Sequence, residues 1–205
     1  MSMGDLPPRQ KMINVMYLVL LALLAMNVSK EILDSFLIIN EGLETTTKKF
    51  TQKNDISMNR FERLYTANKE KVGPFYNQAQ EIRKKADELE EYIDQIKVEV
   101  IKYTGVPPEV ADTISLKYVE GKDNQEAGAH VMIGAEVATP KDGEYRAKDL
   151  KKRLAEYNAF ADKVFANNPE KADQVKIPLP ETMMQHGEEV SWEAANFYHL
   201  PLAAT

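Results

Sequence analysis

The sequence predicts an all-α protein, in which a single N-terminal transmembrane helix continues into a helical bundle on the far side of the membrane. Three observations carry that expectation. Residues 12–29, MINVMYLVLLALLAMNVS, hold no charge, and about 18 uncharged, mostly apolar residues partition into a bilayer as a helix. Between Arg9 and Phe50 there is one glycine, Gly42, and no proline, so nothing breaks the helix where it would leave the lipid. Further along, apolar residues recur at steps of three and four in long runs, the period of helices packed through one face.

Residues 1–11 form a short lead. Asp5 followed by Pro7 and Pro8 reads as a helix start, because proline is tolerated in a first turn whose N–H groups are unpaired anyway. The span at 12–29 would be about 27 Å long, close to a hydrocarbon core of about 30 Å. Arg9 and Lys11 against Asp5 place the N-terminus in the cytoplasm by the positive-inside rule. A cleaved secretory signal is the alternative, with Arg9 and Lys11 as its basic region. Leu23-Leu24-Ala25 is a poor cleavage site, however, and helix signals persist beyond it.

A heptad-like seam runs through Leu18, Ala22, Ala25, Ser29, Ile32, Phe36, Ile39, Leu43, Thr46 and Phe50. Its members within the span are small enough to let two backbones approach, and those beyond it are large and need burial. Two readings follow. Either the seam pairs with a second copy, giving a homodimer, or residues 32–50 pack on the chain's own soluble domain.

Residues 30–205 are expected to be that domain. Asn54-Asp55 reads as a turn, and Gly73-Pro74 as a helix stop. Phe75, Ala79, Ile82, Ala86, Leu89, Ile93, Ile96, Val100 and Tyr103 alternate steps of four and three, which predicts a long helix ended by Gly105 and Pro107-Pro108. Residues 109–119 suggest a short helix. Five breakers interrupt 120–143, where the segment 130–133 fits either a strand or a buried turn. A further helix begins near Tyr145 and closes at Asn167-Asn168-Pro169; 173–180 reads as extended, and 182–197 as helical around Trp192. The closing residues resemble the beginning of another helix, so the sequence is expected to be a truncated piece.

Composition removes several function classes. Cysteine is absent, which excludes disulfides and thiolate metal sites. A net charge of −6 argues against a nucleic-acid partner. His130, His186 and His199 lie on unrelated segments without metal-ligand spacing, so no metal site is expected, and no phosphate loop or nucleophile motif points to an enzyme or a cofactor. The charges of 81–94 mix signs at i,i+4 and read as a solvated face.

The polar residues at the start of the span carry more. At about 100° per residue, Arg9, Ile13, Tyr17, Gln10 and Asn14 fall within an arc of roughly 140°. Arg9 can snorkel to the headgroups as a topology anchor. The sharper alternative is pairing with a carboxylate buried in a neighbouring membrane protein, with Tyr17 donating to the same acid.

The run Pro8 to Val19, PRQKMINVMYLV, and the run Ala25 to Glu31, AMNVSKE, resemble the N-terminus of the GldM (PorM) family, with looser agreement around 151–157 and 201–204. Pro7 stands where that family carries Ser or Thr. The resemblance implies a homodimeric subunit of the type IX secretion system and gliding motor. In that family the membrane helices enter a ring of GldL subunits, the arginine matching Arg9 pairs with a GldL glutamate, and the tyrosine matching Tyr17 lies nearby. It further implies conversion of proton-motive force into motion passed to periplasmic and outer-membrane components, an inner-membrane location with the domain periplasmic, and β-sandwich domains following in longer members. The rival readings from the residues alone are a single-pass scaffold with an inert anchor and a ligand-sensing bundle. Some ten cytoplasmic residues are too few to form a sensor's output module.

Overall fold

Helical order dominates because proline and glycine are confined to a few segments. A computed structural model describes residues 7–26, 30–185 and 187–205, with the backbone alone at 24–26. Helix α1 spans Pro8–Met26, its first turn tied by Gln10 N–H and Lys11 N–H donating to the Pro7 carbonyl at 2.8 and 3.1 Å. Helix α2 spans Lys30–Ala67. The expected passage of one helix into the next falls on 27–29, and the expected lead at 1–6 and its Asp5 cap likewise lie outside the described residues.

The turn expected at Asn54-Asp55 does not form, and α2 runs through it. Without glycine or proline the pair has no means to end a helix, and Asp55 faces Arg83 at 2.6 Å across the helical hairpin. Four hydroxyls of α2 donate back to carbonyls one turn earlier, Ser35 to Glu31, Thr46 to Gly42, Ser57 to Lys53 and Thr66 to Glu62, so these residues satisfy themselves inside the helix. The chain reverses instead at Asn68, whose extended backbone and side chain, accepting from Lys71 N–H at 3.1 Å, cap α3.

Helix α3, Lys69–Tyr103, contains the Gly73-Pro74 pair that was expected to stop a helix. Pro74 lies in the second turn, where it forfeits one hydrogen bond rather than interrupting a long ladder. Gly73 is buried beside the Tyr65 ring. The hairpin is antiparallel: Phe61 and Tyr65 meet Tyr76 at ring-centroid distances of 5.5 and 4.7 Å. The long helix predicted over 75–103 is present, and Thr104 Oγ1 donating to the Ile101 carbonyl, then Gly105 at φ +90°, end it.

The remaining segments wrap the lower part of α3. Helix α4 is Pro108–Ala111, followed by a 3-10 turn at Leu116–Tyr118, so the helix expected at 109–119 is shorter and split. Segment 130–133 belongs mainly to helix α5, Ala127–Met132, which begins where Asn124 Oδ1 accepts from Glu126 N–H and Ala127 N–H at 2.8 and 3.1 Å. Helix α6, Ala147–Val164, is the predicted one. Helix α7, Pro169–Val175, takes the first part of the stretch expected to be extended, since Pro169 suits a first helical turn; 176–180 is extended.

The mostly helical structure fits the all-α expectation, and one segment departs from it. Residues 182–191, expected to be helical, form an antiparallel pair, β1 Thr182–Gln185 and β2 Glu188–Ser191. Helix α8, Trp192–Phe197, starts only after it, where Ser191 Oγ accepts from Ala194 N–H at 3.2 Å. Gly187 at φ +87° serves the two-residue connection. A 3-10 turn at Leu202–Ala204 follows. The core gathers Tyr92, Ile96 and Val100 of α3, Leu150 and Leu154 of α6, Met132 and Ile133, and Trp192, Phe197 and Leu202. It therefore sits on the C-terminal half of α3, and the N-terminal half of that helix pairs with α2.

Candidate functional site

Two regions combine chemistry with position: the polar arc of α1 and the exposed stripe of α2. Helical geometry places Arg9, Gln10, Asn14 and Tyr17 on one side of α1, and all four are exposed. No carboxylate of the described residues pairs with Arg9. Leu18, Leu20 and Leu21 are 69%, 59% and 64% exposed, so the helix offers an apolar surface that nothing in the described chain covers. Among the described residues no helix is long and apolar enough to cross a membrane. The expected span at 12–29 includes 27–29, and the side chains of 24–26, which lie outside them.

The seam divides. Ala22 is exposed, whereas Ser29 and the Ala25 side chain lie outside the described residues. On α2, Ile32, Ile39, Leu43 and Phe50 are 51%, 56%, 61% and 56% exposed, and Thr46 is exposed too. Phe36 is half-buried, and its neighbour Leu33 is buried. The chain's own domain thus claims the Leu33–Phe36 edge and leaves Ile39, Leu43, Thr46 and Phe50 exposed. Every residue from 41 to 54 is exposed, and an open depression of about 1300 Å³ is lined by Asn40 and Glu44 of α2, the 87–102 stretch of α3, and residues of α4, α6, α8 and the C-terminal turn.

Beneath this, a polar network fixes α6 and the preceding loop to α3. The Tyr92 hydroxyl donates to Asp149 Oδ2 at 2.6 Å and accepts from Tyr145 N–H at 2.9 Å. Arg153 Nε donates to the same Asp149 oxygen at 3.1 Å, with its guanidinium 3.9 Å from the centre of the Tyr92 ring. Burial, then donation to the carboxylate, pushes the Tyr92 phenol up to about 12. The same hydrogen bond, reinforced by Arg153, holds Asp149 below the usual carboxylate range. The arrangement ties α6 and the loop before it to α3 and acts as a rivet. Asn158 is a second one, giving and receiving hydrogen bonds with the Ile177 main chain at 2.8 Å each. Arg146 is a third, reaching the carbonyls of His130 and Val131.

The sequence did not bring these partners together because they lie 57, 19 and 16 positions apart. His130 stacks on Tyr103 at 4.7 Å and His199 lies against Tyr198; His186 lies outside the described residues. Among the described residues no group of His, Cys, Asp or Glu is placed to hold a metal ion.

A riveted helical domain, fed by a long helix with an exposed apolar stripe and preceded by an apolar helix that carries Arg9 and Lys11 in its first turn, has the surfaces of an assembly component. The family described as the GldM N-terminal domain matches this chain over residues 31–205. The chain belongs to the GldM family, a component of the gliding-motility and type IX secretion machinery that is not a known enzyme. Comparison with curated proteins gives no match.

Proposed function

We propose that this chain is the inner-membrane motor subunit of that machinery, with α1 crossing the membrane from a cytoplasmic N-terminus and the domain lying in the periplasm. The observation that carries the proposal is Arg9, a permanent cation on the polar arc of an apolar helix with no carboxylate partner among the described residues. A guanidinium at the edge of lipid can snorkel to the headgroups or pair with an acid supplied by another protein, and the motor reading needs the second. A GldL-like ring with a glutamate opposite Arg9 answers that need, Tyr17 donating to the same group and Asn14 and Gln10 lining the contact. A proton arriving at the glutamate neutralises it, weakens its hold on Arg9 and lets the ring advance to its next subunit. One charge crossing about 100 mV supplies roughly 2.3 kcal/mol, enough to bias a step.

The exposed stripe of α2 supports a homodimer. Ile32, Ile39 and Leu43 continue the small-residue seam of Ala22, Ala25 and Ser29, so one surface would pair two copies from lipid into water. The domain would then hand motion to the downstream periplasmic and outer-membrane components. Purification of the full chain from its own membrane in mild detergent tests the reading. A multi-span partner retained in excess over two copies of the chain supports the motor, whereas a homodimer alone indicates a scaffold with an inert anchor.

A further inference from the structure

The β1–β2 hairpin has one defended edge and one open one. Its register pairs Thr182 with Ser191, Met183 with Val190, Met184 with Glu189 and Gln185 with Glu188. Trp192 N–H donates to the Glu181 carbonyl at 3.3 Å, so the hydrogen-bonded pairs of this ladder fall on 181, 183 and 185. In an antiparallel pair the intervening residues turn their main-chain groups away from the partner strand. Thr182 and Met184 therefore present two N–H donors and two C=O acceptors along the outer side of β1. Among the described residues none of these four groups has a main-chain partner beyond the hairpin, and both residues are exposed, Met184 to 72%.

The two edges differ in chemistry. On β2, Glu188 and Glu189 supply charge, and Ser191 is committed to capping α8. β1 reads Thr-Met-Met-Gln, with neither charge nor proline. Strand edges are ordinarily blunted by charge, proline or a covering element, and a two-stranded ribbon gains stability from a third strand. Methionine supplies an adaptable apolar contact at such a surface.

We propose that the outer edge of β1 receives an extended segment of a partner protein as a third, hydrogen-bonded strand, and that this segment carries Lys or Arg beside apolar residues. Unpaired strand edges are satisfied by another backbone. The charge follows from the surroundings: Glu188 and Glu189 are exposed on the hairpin and none of the ion pairs among the described residues includes them, whereas Glu181 beside it is already held by Lys151 at 3.2 Å. A second copy pairing edge to edge would offer this edge only its own uncharged Thr-Met-Met-Gln strand, which supplies no cation to these carboxylates. This inference does not depend on the role given to Arg9.

The test uses the full chain in detergent and a fluorescein-labelled synthetic peptide, Lys-Val-Thr-Val-Lys-Val, read by anisotropy. Two further peptides carry N-methyl groups on one or the other alternating set of amides, and a fourth replaces Lys by Glu. The expected result is saturable binding that one N-methyl set and the Glu peptide each weaken by about tenfold or more, while the other N-methyl set stays within about twofold. Met184→Pro removes an outward donor without touching the β1–β2 ladder and should weaken binding similarly, whereas Met184→Leu should keep it; circular dichroism checks that both variants are folded. Absence of saturable binding, equal binding of both N-methyl sets, or unchanged binding by folded Met184→Pro overturns the inference. A drop in oligomer mass on Met184→Pro by light scattering also overturns it, in favour of self-pairing.

Discussion

Replacing Tyr92 by Phe removes one oxygen from the rivet between α3 and α6 and keeps the ring that stacks on Tyr145 and lies under Arg153. Two hydrogen bonds disappear, the one to Asp149 at 2.6 Å and the one from Tyr145 N–H at 2.9 Å. A bond to a charged acceptor contributes about 1.5–3 kcal/mol, and a buried donor left unpaired costs about 1–3 kcal/mol. The Asp149 side chain is 25% exposed, so water recovers part of the first contribution, and a net loss of about 2–3 kcal/mol is expected. For a chain of this size each kcal/mol lowers Tm by roughly 2–4 °C, which puts the shift near 4–12 °C. The effect also depends on pH with a definite sign. Asp149 has its folded pKa depressed, so its contribution is present above the ordinary carboxylate value of about 3.9 and is lost as pH falls through the folded value. The melting-temperature gap between wild type and Tyr92→Phe should therefore narrow below about pH 4. Thermal unfolding followed by circular dichroism over pH 3 to pH 8 measures both quantities. A Tyr92→Phe protein within about 0.5 kcal/mol of wild type, or a gap that does not change with pH, would refute the reasoning.

Three other outcomes are expected. Gly42→Ala and Gly73→Ala should each stabilise by about 0.5–1 kcal/mol in thermal melts, because an added Cβ meets open space at Gly42 and an ordinary 3.6 Å contact with Tyr65 at Gly73. Gly134→Ala should instead destabilise by about 1–3 kcal/mol, since φ there is +100° and a Cβ would come within 2.8 Å of Lys141 Cδ; denaturant titration reads the difference. Ile39→Asp combined with Leu43→Asp should leave the melting temperature of the isolated protomer unchanged, both sites being more than half exposed, and should abolish self-association by light scattering.

What the sequence shows and what it hides follow from the range of the interactions. The period of Phe75 to Tyr103 names one face of α3 without reference to anything else in the chain, and the structure has that helix. Breaker residues are less transparent, because their effect depends on place. Pro74 costs little so near a helix start, and Asn68, one polar residue between two helices, reverses the chain through its cap to Lys71. Asp55 looks like half of a turn until Arg83, 28 positions away, is set opposite it. β1 and β2 were missed because neither strand alternates cleanly: both are largely exposed, so no buried face imprints a period of two. Of the candidate site, the arc of Arg9, Gln10, Asn14 and Tyr17 follows from helical spacing, whereas the division of the α2 stripe into a covered Leu33–Phe36 edge and an exposed remainder required the tertiary packing.

The proposed motor rests on the proposed pairing of Arg9 with an acid of another protein. The most direct measurement is gliding and type IX secretion by cells carrying Arg9→Ala, with Arg9→Lys beside it and the chain's abundance checked in membranes. The account predicts that both activities are lost in Arg9→Ala at normal abundance, and that Arg9→Lys, with its charge but no fork, recovers them only in part. Full motility and secretion in Arg9→Ala cells would contradict it.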